Sequence, residues 1–92
     1  MNKIPKPLRN ILNDYCHVEW LDEMNELNKD LSSKDWAYNA GLFKTQLRDS
    51  INNLSFSLSD YEEVTNHNFD SEDELVNWLK TIWETAFPDE PI

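Results

Sequence analysis

Asp70–Phe87, DSEDELVNWLKTIWETAF, is the stretch whose reading decides the fold. Leu75, Leu79, Ile82 and Ala86 recur at the three- and four-residue spacing that stacks side chains on one helical face. Val76, Trp83 and Phe87 widen that stripe at the same pitch. Ser71, with Glu74 three residues on, is a capping-box pair: the hydroxyl can accept a free backbone N–H of the first turn while the carboxylate reaches back. Glu72, Asp73 and Glu74 set negative charge at the positive end of the helix dipole, and Pro88 cannot extend the helix. The spacing predicts a helix over 71–87 whose apolar side must be buried against the rest of the chain.

Upstream, the same period returns. Pro5 and Pro7 favour an extended lead over residues 1–6. Leu8, Ile11, Leu12 and Tyr15 then mark a helix over 7–16, with His17 at the end where a positive charge is welcome. Residues 19–31 predict a second helix with Trp20, Met24, Leu27 and Leu31 inward and the carboxylates toward the other side. Ser32 and Ser33 break it and offer a cap for a long helix over 34–54, on the stripe Trp36, Ala40, Phe43, Leu47, Ser50 or Ile51, and Leu54. Gly41 in its interior, beside Ala37 and Ala40, suggests close approach of a neighbouring helix. Ser55-Phe56 reads as a linker, although NLSFSLS alternates briefly as a short strand would. Ser57 or Ser59 can cap a short helix over 58–66, with Leu58, Tyr61 and Val64 inward. The sum is an all-α single domain, a bundle of four to five helices.

One Gly, four Pro and 39% hydrophobic residues in a 92-residue chain favour helices around one modest core. The lone Cys16 excludes an internal disulfide, fits a reducing cytoplasm and reads as a small buried hydrophobe. No apolar run suits a membrane span or a signal peptide. The net charge of -10 is unevenly placed. Residues 59–92 hold ten acids and only Lys80, a balance of -9, whereas residues 1–18 carry three bases and one acid, +2. Such a field repels nucleic acid and anionic membrane and steers basic proteins to one side; its plainer reading is a solvated acidic surface.

Catalytic signatures are sparse. One Gly leaves no phosphate-cradling loop. Cys16 and His17, adjacent in sequence, lack the geometry of a nucleophile–base pair. His67, Asp70 and Glu74 are a weak ligand set, broken by the helix start at Ser71. The expectation is a non-enzymatic protein, with a monomer favoured but the oligomeric state left open, that takes no cofactor or metal and binds no nucleic acid directly. Carboxylates beside aromatic anchors suit a protein-binding surface. Its candidate residues are Glu19, Asp22, Glu23, Glu26, Asp60, Glu62, Glu63, Glu72, Asp73 and Trp78. Of the four Trp, Trp36 and Trp83 are well explained as core, whereas Trp20 and Trp78 are the ambiguous pair.

Pro7-Leu8, Leu12, Tyr15 and the Glu19-Trp20 pair, together with Ser71, Trp78-Leu79 and Trp83 near the end, resemble the opening and closing helices of immunity proteins from contact-dependent growth inhibition systems. The resemblance covers about half of the chain. Cys16 stands where a second aromatic is expected, and residues 27–55 have no counterpart. It implies a bacterial cytoplasmic inhibitor that binds one cognate basic nuclease toxin domain, an RNase or tRNase, and has no catalysis of its own. The same charge would serve a DNA mimic that inhibits a nucleic-acid-binding protein, or an adaptor module whose acidity only confers solubility.

Overall fold

The computed structural model describes all residues, Met1–Ile92, and is built from helices alone. Helix α1 spans Leu8–Cys16, a 3-10 segment Val18–Glu23, α2 Met24–Leu31, α3 Ala40–Asn52, α4 Leu58–Thr65 and α5 Glu72–Ala86. Helix α5 is central: α2 and α3 pack along it, while α1 packs against α2, α3 and α4. The stripe read from the sequence is the core. Leu75, Leu79, Ile82, Trp83 and Ala86 are buried, and Leu8, Ile11, Leu12, Tyr15 and Cys16 meet them from α1. Eighteen apolar residues form one contiguous cluster, with the aromatic and aliphatic area that offsets the entropy of ordering a small chain.

The helix ends use side chains to satisfy free backbone groups. At the start of α5, Ser71 accepts the Glu74 N–H, but the Glu74 carboxylate takes the Asp70 N–H instead of closing a box. The complete capping box is at α4, between Ser57 and Asp60. Gln46 of α3 clamps the start of α1, accepting the Leu8 N–H and donating to the Lys6 carbonyl. Asn28 donates to the Ala86 carbonyl and closes the C-terminal end of α5 against α2.

Other expectations are corrected as well. The helix expected over 19–31 is broken: Trp20 has φ -143° and ψ 46°, and only 24–31 is α-helical. Its indole swings back and donates to the Asn13 carbonyl at 3.0 Å, one of the free carbonyls of the last turn of α1. Trp20 therefore leaves the predicted inward stripe and is exposed. The helix expected over 34–54 starts six residues late, at Ala40, because Asn39 caps it by accepting the Leu42 N–H. Tertiary partners hold residues 34–39 out of the helix. Trp36 donates to the Tyr15 hydroxyl and packs edge-on against Phe43, while Tyr38 donates to Asp14. Gly41 consequently sits in the first turn of α3 with no helix against it; a Cβ there would meet only Asn39 Oδ1, at 3.5 Å. Finally, residues 53–57 form the expected link between α3 and α4, but Phe56 within it is a core side chain, as is Ile4 in the N-terminal lead.

Candidate functional site

Eighteen carboxylates and eight cationic side chains leave the molecule strongly acidic, and packing neutralises few of them. The single ion pair joins Lys44 of α3 to Glu90 in the C-terminal tail. Arg48, one turn on, lies 5.0 Å over the Trp83 ring rather than against an acid. Lys44 thus meets the acidic tail, whereas Arg48 goes to an aromatic face. Both are on α3, so the carboxylates of α4, of the first turn of α5 and of the 3-10 segment stay without a counter-ion.

The first predicted acidic cluster is assembled by α4 and the start of α5. Asp60 and Glu72 line one surface depression of about 370 Å³ beside Lys3 and Phe56. Glu62 and Glu63 line the next with Ser59 and Asn66. Asn68 donates to Glu62, and Asn2 donates to the Glu63 carboxylate and to the Asp60 backbone carbonyl, so neutral amides hold the Glu62 and Glu63 side chains, while the Asp60 carboxylate accepts the Ser57 N–H of the capping box. Asp73 is exposed in the first turn of α5.

The second cluster lies elsewhere. Glu19, Asp22 and Glu23 are in the 3-10 segment and Glu26 is at the start of α2, all exposed. Asn28 is tied to Ala86, so α2 sits at the end of α5 opposite to Glu72. The fourteen residue steps from Glu72 to Ala86 span roughly 21 Å of helix. The structure joins the two clusters through the exposed side of α1. Arg9, Asn10, Asn13 and Asp14 share a depression with Tyr38 and Glu63, and the Asn13 carbonyl carries the Trp20 indole. The Asp14 carboxylate accepts the Tyr38 hydroxyl, and that bond, with partial burial, pushes the phenol up to about 12. Asn10, Asn13 and Asp14 were absent from the sequence-derived site, because nothing in the helical period of α1 says which helix flanks its outer face.

The structure separates the two ambiguous tryptophans. Trp78 is half-buried: its indole donates to the Tyr61 hydroxyl at 2.8 Å and its ring packs against His67 and Phe69. Trp20 is the exposed one. Its ring stacks on His17 at 4.2 Å and 16°, and His17 Nδ1 accepts the Glu19 N–H. The sequence signal was present, since Glu19-Trp20 directly follows the end of α1, but helical periodicity assigned the Trp inward.

The candidate reactive groups are held in structural roles. Cys16 is fully buried, and burial pushes its thiol up to about 12, so at neutral pH it carries almost no thiolate. His67, Asp70 and Glu74 are not gathered; no three His, Cys, Asp or Glu side chains are close enough to hold one metal ion. His67 is wedged between Phe69, Trp78 and Tyr61, its Nδ1 buried without a partner, and burial lowers its pKa. No helix is long and apolar enough to cross a membrane.

No family model, curated protein or solved structure matches the chain.

Proposed function

We propose that this protein is a non-catalytic inhibitor that neutralises a basic protein, and that it acts as a cytoplasmic immunity protein against a nuclease toxin. One observation carries this reading: the carboxylates of α4 and of the first turn of α5 are free of ion pairs, all but the part-buried Asp60 are exposed, and amide side chains fix two of them, Glu62 and Glu63. A solubilising surface needs charge but not fixed carboxylates. Carboxylates held in place can stand in for phosphates in the cationic cleft of a nuclease. The likeness of both chain ends to contact-dependent growth inhibition immunity proteins supports the same reading.

The test takes the product of the adjacent upstream gene as the candidate basic toxin domain, with association rates measured across ionic strength. The native protein is expected to form a one-to-one complex, to abolish nuclease activity and to associate ~10²-fold faster at low than at high salt. Glu62→Lys with Glu63→Lys should remove most of that acceleration. A salt-independent rate, or rates unchanged by the reversal, refutes this surface. Binding to several DNA-binding proteins in competition with duplex DNA would instead mark a DNA mimic.

A further inference from the structure

The 3-10 segment has no fully buried residue, and of its three large apolar side chains only Leu21 packs, half-buried, against the core. Val18 is 36% and Trp20 40% exposed, two positions apart, whereas the other exposed large apolar residues, Met1, Leu42 and Ile92, stand singly. Apart from Leu21, the segment turns its apolar side chains away from the core, yet it holds a defined conformation. The stack on His17 and the bond from the indole to the Asn13 carbonyl hold it. With one face on His17 and its N–H donated to Asn13, the remaining exposure of Trp20 is aromatic surface with no polar donor to offer. Around it stand Glu19, Asp22 and Glu23, all exposed and none ion-paired. No Lys or Arg occurs between Arg9 and Lys29.

We infer that the Val18–Glu23 segment is a docking platform for an arginine-bearing segment of the basic partner, with the guanidinium stacked on Trp20 and paired to a flanking carboxylate. The charge complementarity selects a cationic occupant. The geometry selects arginine over lysine. A planar guanidinium can extend the His17–Trp20 stack and still present its edge to Glu19 or Asp22, whereas an ammonium is a hydrated point charge that does one or the other. Val18 supplies apolar surface for the methylenes of the same side chain. This inference deepens the proposed function and rests on its claim that the partner is basic. It adds a second contact region, separated from the α4–α5 carboxylates by the outer face of α1.

The platform can be tested without the toxin. The full-length ¹⁵N-labelled chain is titrated at low ionic strength with the blocked peptide acetyl-Gly-Arg-Gly-Arg-Gly-amide, and separately with its lysine counterpart. The Trp20 indole resonance is identified by its loss in Trp20→Phe, and it should shift saturably with the arginine peptide. The arginine peptide should bind at least ~threefold more tightly than the lysine peptide. Trp20→Ala should abolish that preference, and Glu19→Gln with Asp22→Asn should weaken both peptides. The paired amide variant leaves the Trp20 stack untouched, so it keeps the test valid if Trp20→Ala perturbs folding. An indole resonance that does not move, or equal binding of the two peptides, overturns the platform. With the toxin itself, a complex whose affinity is unchanged by Trp20→Ala also overturns it and leaves the α4–α5 surface standing. A specific arginine titration without any toxin complex supports the platform and refutes the nuclease reading.

Discussion

Trp78→Phe separates an inward structural role from a surface role. Phenylalanine keeps a ring against His67 and Phe69 but removes the indole N–H that the Tyr61 hydroxyl accepts. Tyr61 is fully buried, so water cannot replace that donor. The lost hydrogen bond should cost about 1–1.5 kcal/mol. Trp78 is half-buried, and the missing five-membered ring removes roughly 30 Å² of buried apolar area, about 0.8 kcal/mol more. The expected destabilisation is thus about 2 kcal/mol, which lowers Tm by roughly 8–16 °C in a domain of this size. Urea unfolding followed by far-UV circular dichroism reads it directly, with an unchanged denaturant slope as the sign that the unfolding reaction is the same. Binding to the basic partner should change less than about twofold. A loss below about 0.5 kcal/mol, together with impaired binding, would refute the inward role and restore Trp78 as a surface anchor.

Burial holds the folded-state pKa of His67 below its ordinary 6.5, so below that pH the unfolded chain binds the extra proton more readily. Its contribution is complete above pH 6.5 and is lost as pH falls toward the folded-state value; His67→Phe should flatten that part of the stability–pH curve, and a wild-type curve that declines identically removes His67 as the cause. Gly41→Ala should stabilise by about 0.5–1 kcal/mol in the same urea assay, because the first turn of α3 has room for a methyl and alanine narrows the unfolded ensemble; destabilisation would mean that a neighbour approaches this turn after all.

The helical stripes were legible because their readout is local. A residue at Leu75, Leu79 or Ile82 is buried whichever helix covers it, and the caps at Ser57 and Ser71 act within one turn. Helix limits were less legible wherever a distant group competed for the same backbone or side chain. Ser33 and Asn39 are both competent caps, and the contacts of Trp36 with Tyr15 and of Tyr38 with Asp14 decide for Asn39. The acidic candidates could be named one by one but not arranged, since a hydrogen bond between residues 58 apart in sequence is what puts Asn28 and its neighbours at the far end of α5.

The sequence by itself determined an all-helical domain around the Asp70–Phe87 stripe, its acidic balance and the burial of Cys16. Each follows from side-chain chemistry summed over short windows. Only the tertiary structure decided which tryptophan faces the solvent. Trp20 and Trp78 both fit an apolar helical face, and both have an indole N–H that must find an acceptor. For Trp78 that acceptor is the buried Tyr61 hydroxyl, which draws the ring inward; for Trp20 it is a free carbonyl at the end of α1, which draws the ring out of its helix and onto the surface.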